Sequence, residues 1–335
     1  MVSATDVESK ARPLVRPWRL GPAWLRQIFS ALGQALTVAL VVVIVTFAMV
    51  RLIPGDPATA ILGSKSTPQA LAALRVQLHL NESLPKQFLD YLSDLAHGNL
   101  GVSLAGGGRT VLNVISTGLP VTLSVVGFAM LFSIIVAVPL GLFCGLRRGW
   151  ADSAIRASMT LLLTMPPFFI GLLLLAIFTT GLHILPAGGW GTGWPNNLQY
   201  VILPAAALSG YLVPILTRSV RQSTRTANAE AWVESGVARG LGPLRLAFRH
   251  VLPNSVLPMI TLLGYNAGAL IASAVIIEAV FGLPGIGTDL VTAISLRDYP
   301  VIQGIALVTA LLVVAANLTA DLLIAVVDPR IRRGA

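Results

Sequence analysis

EAWVESGVARGLGPLRLAFRHVLP, residues 230–253, is a polar and strongly basic stretch between two long apolar segments. Its position predicts a loop at a membrane surface. Residues 240–243, Gly-Leu-Gly-Pro, predict a break between two short helices, because Gly and Pro interrupt a helical pattern. Three arginines give the stretch positive charge: Arg239, Arg245 and Arg249. Apolar side chains recur at helical spacing and are candidate anchors for a partner: Val237, Leu241, Leu244, Leu246 and Phe248.

This stretch resembles the coupling loop of ABC importer permeases. In that pattern EAA is followed by three residues, Gly, nine residues, Ile, one residue and Leu-Pro. Glu234, Gly240 and Leu252-Pro253 occupy their positions with the spacing intact. The departures are Ser235 and Gly236 for the two alanines and His250 for the isoleucine. An ordinary basic cytoplasmic loop is the alternative interpretation.

Residues Ala238-Arg239-Gly240, together with Arg249-His250, are similar to the peptide-permease branch of that family. The resemblance implies that the loop contacts an ATPase. The ATPase-coupling residues that it implies are Glu234, Ala238, Arg239, Gly240, Arg249, His250, Leu252 and Pro253.

The composition excludes an ordinary soluble globular protein. Of the 335 residues, 55% are hydrophobic and 11% are charged, and the mean hydropathy is +0.80. The net charge of +9 is not gathered into one basic patch, so it does not indicate nucleic-acid binding. The lone Cys144 lies in an apolar run, which excludes a disulfide framework and a cluster of thiol ligands.

The apolar runs predict an all-α integral membrane protein with six transmembrane helices, because about twenty apolar residues cross a bilayer core. The predicted spans are 31–53, 119–146, 157–182, 198–217, 256–280 and 301–327. Pro166-Pro167 predicts a kink in the third span, and Gly264 with Gly268 predicts a close helix–helix approach in the fifth. A signal peptide is the alternative for the first span, but its apolar run is too long and no small-residue cleavage site follows.

Five further regions complete the predicted organisation. They are a cytoplasmic tail with an interfacial helix at 1–30, a small helical extracytoplasmic domain at 54–118, a core at 119–327, a cytoplasmic coupling loop at 218–253 within that core, and a cytoplasmic C-terminus at 328–335. Helical spacing of leucines on both sides of residue 80 predicts the helices of the outer domain.

More motifs resemble the dipeptide, oligopeptide and nickel permeases. They are RLIPGDP at 51–57, LPKQF at 84–88, GNLGVS at 98–103, EAVF at 278–281, PGIG at 284–287, RDYP at 297–300 and DPR at 328–330. The resemblance extends from about residue 31 to the C-terminus. It implies the type I permease fold of ABC importers, in a bacterial or archaeal cell membrane.

Basic residues follow the positive-inside rule when both termini are cytoplasmic. Seventeen of the 23 Lys and Arg residues then face the cytoplasm: Lys10, Arg12, Arg16, Arg19, Arg26, Arg147, Arg148, Arg156, Arg218, Arg221, Arg225, Arg239, Arg245, Arg249, Arg330, Arg332 and Arg333. This orientation places the coupling loop on the side where an ATPase would be.

No catalytic constellation, metal site or nucleotide site is predicted in the chain. None of the lysines lies in a phosphate-binding G-x-x-x-x-G-K-[ST] motif, and the four histidines are scattered without an H-E-x-x-H motif. The resemblance implies that ATP and Mg²⁺ are bound by partner ATPase subunits and that this chain binds no cofactor. It also implies a second homologous permease subunit, two ATPase subunits or domains, and an extracytoplasmic solute-binding protein, with no nucleic acid.

Polar groups within membrane spans are functional candidates because they are costly in lipid. Asn317 and Asp321 lie one helical turn apart, where they would either line a translocation path or pair with a neighbouring helix. Glu278, near an outer helix end, is expected to snorkel towards water. Asp298 is expected either to meet the binding protein or to cap a local turn.

Import of dipeptides or oligopeptides by alternating access is the function that the motifs favour. Nickel, glutathione, oligosaccharides and other small solutes remain open, because these branches share the motifs. A secondary transporter is the alternative from a different class. It would show inverted repeats and ionisable coupling groups, and the sequence has no convincing repeat. A membrane enzyme would need a reactive constellation.

Overall fold

The computed structural model describes residues 22–52, 67–77, 81–105, 107–147 and 149–327. In this part of the chain the regular elements are helices, together with one isolated β-bridge between Val102 and Thr110. The all-α prediction is therefore confirmed for these residues. The predicted tail before Pro22, residues 53–57 of the RLIPGDP motif and the C-terminal residues 328–335 lie outside the described residues.

The helices alternate between long apolar elements and short connecting ones. In chain order they are α1 Pro22–Leu52, α2 Pro68–Gln77, α3 Leu84–Ala96, α4 Val111–Leu146, α5 Trp150–Thr164, α6 Pro167–Leu174, α7 Leu198–Asn228, α8 Ala231–Ala238, α9 Pro243–Leu246, α10 Leu252–Val280, α11 Ile286–Leu296 and α12 Tyr299–Val327. One π-helical segment, Leu175–Gly181, continues α6, and another, Ala247–Val251, joins α9 to α10.

Four of the described helices, α4, α7, α10 and α12, are long and apolar enough to cross a membrane. The bent pair formed by α5 and the run 167–181 adds a fifth crossing if it is one span. In α1 the apolar stretch Leu32–Ala48 is shorter than these. The described residues thus support four or five spans, and the predicted count of six stays a prediction.

The break between α5 and α6 is sharper than a kink, because α5 and the helical run 167–181 differ in direction by 104°. Met165 and Pro166 each precede a proline, which disfavours helical geometry at the preceding residue. Both are accordingly extended, with ψ of 129° and 139°. The single bent helix predicted at 157–182 is therefore two helices joined by an extended corner.

Helices α4 and α7 form the centre of the bundle. Their contact is close because α4 carries glycines where α7 approaches. A Cβ atom on Gly141 would lie 2.6 Å from Val220 Cβ, and one on Gly145 would lie 2.5 Å from Thr224 Cβ. This contact extends past Thr217, so α7 stays helical to Asn228. The first part of the predicted coupling loop, residues 218–228, is thus the end of a spanning helix.

Helix α12 packs between α10 and α1. A Cβ atom on Gly264 of α10 would collide with Ala320, and one on Gly268 would lie 2.7 Å from Val313 Cγ1. The close approach predicted from the spacing of these two glycines is confirmed. On its other side, Gln303 Nε2 of α12 donates a hydrogen bond to the carbonyl oxygen of Thr46 in α1 at 3.2 Å.

The segment between α1 and α4 contains the helices α2 and α3, as the leucine spacing predicts. Helix α3 packs on the end of α1, where Phe88 and Tyr91 contact the ring of Phe47 at centroid distances of 5.1 and 6.1 Å. The bridge between Val102 and Thr110 then leads the chain into α4.

Candidate functional site

The candidate site is the basic segment that follows α7, and its geometry begins with the turn at Gly240. Helix α8 ends in a Schellman motif, because the Leu241 amide donates to the Gly236 carbonyl and the Gly240 amide donates to the Val237 carbonyl. The turn requires a positive φ at Gly240, where it is +76°. Helix α9 then starts at Pro243, a residue suited to the first helical position. The predicted break at residues 240–243 and the short helix before it are confirmed, whereas the helix after the break continues into α10.

The loop has a small apolar core of its own. It consists of Leu142 at the end of α4, Ala227 at the end of α7, and Val233, Leu246 and Val251 within the loop, with Leu241 and Leu252 partly buried against it. Two of the predicted partner anchors, Leu246 and Leu241, therefore face inward. They attach the loop to the spanning helices.

Other large apolar side chains of the loop are left exposed. Val237, Leu244 and Phe248 are 62%, 73% and 59% exposed, and Trp232 is 39% exposed. We call these four residues the exposed apolar set. Apolar side chains exposed together on a small segment mark an interaction surface. Arg239, Arg245 and Arg249 are exposed in the same segment, so the surface combines apolar contacts with positive charge.

The residues that the sequence implicates in ATPase coupling fall into two groups. Those exposed are Glu234, Ala238, Arg239, Gly240, Arg249 and Pro253, and those half-buried are His250 and Leu252. The imidazole of His250 lies beside Trp232, at a ring-centroid distance of 6.4 Å. It thus supports one member of the exposed apolar set at the position where the family pattern has isoleucine.

The loop is joined to α10 by an uninterrupted helical run from Pro243 to Val280. The π-helical segment Ala247–Val251 lies directly before Pro253, which has no amide hydrogen to donate. Asn254 Nδ2 donates a hydrogen bond to the His250 carbonyl, one helical turn back, at 2.8 Å. The loop is therefore continuous, through helical backbone, with a membrane-spanning element.

Replacing Gly240 with Ala is expected to impair the loop as much as a bulky residue does. No heavy atom lies within 4 Å of a Cβ atom placed at Gly240, so the size of the new side chain is not the cause of the impairment. The cause is the positive φ. Left-handed geometry costs about 1–2 kcal/mol for an L-residue, which lowers the population of the native turn roughly 5- to 30-fold. Uptake by intact cells, normalised to the amount of protein in the membrane, measures the effect.

The control for this change is Gly242→Ser, at a neighbouring glycine with φ −64° and open space around its Cβ position. It should leave uptake near wild type, and Gly240→Asn should be milder than Gly240→Ala, because Asn tolerates left-handed geometry. Equal uptake in Gly240→Ala and wild type would show that the turn does not matter.

Sequence reasoning missed an ion cluster at the base of the loop. Asp152 of α5 has a side chain only 6% exposed, and it accepts two hydrogen bonds from Arg221 of α7, at 2.7 and 2.8 Å. Arg225 adds a bond at 3.1 Å, and Arg156 lies 3.6 Å away. The only sequence signal was one acidic residue in a basic segment, and the partners lie 69 and 73 residues away.

Two predictions about outer polar groups are wrong. Glu278 does not snorkel, because it is completely buried and its Oε2 accepts a hydrogen bond from the Gly287 amide at 2.8 Å. Asp298 neither caps a local turn nor faces outward. It is 3% exposed and accepts hydrogen bonds from the Ser103 hydroxyl and the amides of Leu104 and Ala105.

Of the two residues predicted to line the translocation path, only one has a described side chain. Asn317 is exposed on α12, and the side chain of Asp321 lies outside the described residues. Among the described residues, no group of three or more His, Cys, Asp or Glu side chains is placed to hold a metal ion. The buried Cys144 is a free thiol in the α4 interior.

Comparison with known proteins agrees with this geometry. Residues 137–333 match the family described as binding-protein-dependent transport system inner membrane component, and residues 24–126 match the N-terminal family of the same membrane component. The chain is 35% identical to the probable D,D-dipeptide transport system permease protein DdpB of Escherichia coli (strain K12), over 90% of this chain and 96% of that protein.

Other relatives carry similar names. The di/tripeptide transport system permease protein DppB of Pseudomonas aeruginosa (strain UCBPP-PA14) is 34% identical, over 91% of this chain and 98% of its own length. A solved inward-facing structure of the MetNI methionine ABC transporter shares the fold, with a TM-score of 0.54 at 14% identity over 64% of this chain and 96% of that one. The chain therefore belongs to the family of binding-protein-dependent transport system inner membrane components, as the permease subunit of an ABC importer.

Proposed function

We propose that this chain forms one half of the membrane path of an ATP-driven importer that works by alternating access. It assembles with a second homologous permease subunit, two ATPase subunits or domains, and an extracytoplasmic solute-binding protein. The observation that carries the proposal is the coupling loop, which exposes apolar and basic side chains and continues as helix into α10. Such a segment attaches a moving partner to a spanning helix.

The loop is suited to docking in a cleft of an ATPase. The exposed apolar set would be buried there, and burial of apolar surface supplies most of the affinity of such contacts. The exposed arginines would meet acidic groups and orient the contact. When the ATPase pair closes on ATP, the loop is displaced and α10 tilts. Pro253 and Pro258 lie at that joint, where missing amide donors make bending easier.

The orientation follows from the arginines around the loop. Arg221 and Arg225 at the end of α7, together with the exposed arginines of the loop, favour the cytoplasmic side. Both termini are then cytoplasmic, in a bacterial or archaeal cell membrane. ATP and Mg²⁺ belong to the partner ATPases, and this chain binds no cofactor.

The proposed substrates are dipeptides or oligopeptides. Relatives that match this chain almost from end to end are named as dipeptide, di/tripeptide and peptide permeases. Nickel, glutathione and other small solutes are the alternatives, because the motifs of this branch are shared among such carriers. Selectivity among these solutes is proposed to rest with the binding protein.

The test is purification of the chain from its native membranes, followed by reconstitution with the proteins that accompany it. We expect two ATPase copies and a second permease to co-purify, and a labelled dipeptide to accumulate in vesicles only with ATP and binding protein present. Competition by unlabelled peptide, nickel and glutathione separates the substrates. Uptake by this chain alone, driven by an ion gradient, would contradict the proposal and favour a secondary transporter.

A further inference from the structure

Helix α11 has no capping side chain of its own, since its N-cap residue is Gly285. The first amides of a helix need acceptors from elsewhere when they are buried. Two other helices supply them. Ile286 donates to the hydroxyl of Thr122 on α4 at 3.2 Å, and Gly287 donates to the carboxylate of Glu278 on α10 at 2.8 Å.

The fit around Glu278 is tight. A Cβ atom on Gly285 would collide with the carboxylate, and one on Gly287 would collide with Val275 and approach Glu278 Oε2. The glycines of the PGIG motif therefore make room for this side chain. A carboxylate is favourable beside the first amides of a helix, because they carry partial positive charge. Without such a role, a completely buried acid would be costly.

The other end of α11 is fixed to the segment between α1 and α4. Asp298, two residues after the helix, holds the amides of Leu104 and Ala105. Side chains of α4, α11 and α12 also form one apolar cluster, which contains Val111, Val114, Ile115, Ile286, Ala293, Val301 and Ile305. We call α11 together with residues 101–105 and 107–110 the outer unit. Glu278 gives this unit a polar attachment to α10.

We propose that Glu278 is a positioning residue that makes the outer unit follow α10, so that a displacement of the coupling loop reaches the opposite membrane face. This rests on the proposed function. One continuous helix, α10, starts at the loop and ends two residues after Glu278. At 1.5 Å per residue the distance covered is roughly 40 Å, about the thickness of a bilayer. The carboxylate would transmit the tilt of α10 into α11, from whose Gly287 amide it accepts a hydrogen bond.

The test compares Glu278→Leu with Glu278→Gln in the full reconstituted complex. Leu removes the acceptor at similar size, whereas Gln keeps an oxygen for the Gly287 amide. We expect amide hydrogen exchange in residues 286–289 to be at least about tenfold faster in Glu278→Leu and close to wild type in Glu278→Gln. ATP-driven uptake should fall about tenfold or more in the Leu variant, with assembly and basal ATP hydrolysis retained.

Thr122→Val is the comparison variant. It removes the α4 acceptor of the Ile286 amide and keeps the hydrogen bond from the Gly287 amide to Glu278, although the Thr122 hydroxyl also hydrogen-bonds the Glu278 carboxylate. Thr122→Val should also speed amide hydrogen exchange in α11. Its loss of uptake per ATP hydrolysed should be much smaller than that of Glu278→Leu. Equal losses of uptake in Thr122→Val and Glu278→Leu would overturn the proposal, because they would indicate a general stabilising role. So would a Gln variant as defective as Leu.

The same experiment separates this inference from the proposed function. A wild-type complex with no ATP-driven uptake would refute the proposed function and, with it, the transmission by Glu278. A wild-type complex that transports normally, with transport also normal in Glu278→Leu, would refute the inference alone.

Discussion

Replacing Leu244 and Phe248 together with Asp is expected to abolish co-purification of the ATPase and to lower ATP-driven uptake by about 100-fold or more. Both side chains are more than half exposed and lie one helical turn apart, so they present one face. Central apolar residues of an interface contribute about 2 kcal/mol or more each, and a carboxylate buried in their place adds a desolvation cost. Quantitative immunoblotting of the purified complex measures the loss.

The amount of the variant in the membrane should stay at the wild-type level, because neither side chain belongs to the loop's own core. Leu89→Asp is the matched control, since Leu89 is 63% exposed on α3, in the predicted outer domain. It introduces the same carboxylate and should leave the ATPase bound. If the double Asp variant still co-purifies with the ATPase in normal amounts, the exposed apolar set is not the docking surface.

Replacing Asp152 with Asn is expected to have the second largest effect, a loss of about 3 kcal/mol in stability. The change leaves Arg221 and Arg225 without their counter-charge, and the side chains of these arginines are only 15% and 28% exposed. Because the cluster holds α5 against α7 where α7 leads into the coupling loop, coupling should fail as well. To measure the loss of stability, the detergent-solubilised protein is heated at a series of temperatures. Size-exclusion chromatography then gives the fraction that remains folded at each temperature.

The control uses the weakest member of the same cluster. Arg156 is 54% exposed and 3.6 Å from the carboxylate, so Arg156→Gln should change stability by less than about 1 kcal/mol. The double variant Asp152→Asn, Arg221→Gln should lose less than the sum of the single changes, since Arg221 is then no longer a charge left unpaired and only Arg225 lacks its counter-charge. Strict additivity would show that the pair does not interact in the folded protein.

The turn at Gly240, with the helix end before it and the helix start after it, was predictable because its causes are local. A glycine with positive φ and a proline at the first position of a helix act through their immediate neighbours in the chain. The close contact at Gly264 was predictable for a similar reason, since two small residues one turn apart leave a gap on a helix surface whatever fills it.

The sequence could not predict which individual side chains of the loop are buried and which are exposed. Leu246 and Leu244 are two residues apart in one basic, apolar stretch, yet one is buried in the loop's core and the other is 73% exposed. Helical spacing identifies which residues share a face, but it does not say which face meets a neighbour. That depends on where Leu142 and Ala227 lie, and both come from helices distant in sequence.

The same limit applies to the acids. In the sequence, Glu278 is a carboxylate near the end of an apolar helix, so water at the membrane surface is the hydrogen-bond partner that the sequence suggests. Asp152 stands alone among arginines. Their partners, the Gly287 amide and the Arg221 guanidinium, become neighbours only when the chain folds back on itself. A buried charge is stable only with such partners, so its role cannot be inferred before they are known.

The sequence by itself determined the helical class, the membrane environment and the position of the basic turn between α8 and α9, because hydropathy, glycine and proline act over one or a few helical turns. Tertiary structure alone decided the 104° corner angle, the length of α7, the exposed apolar set and the attachment of Glu278 to α11. These features depend on contacts between residues far apart in the chain, and such contacts exist only after the helices have packed.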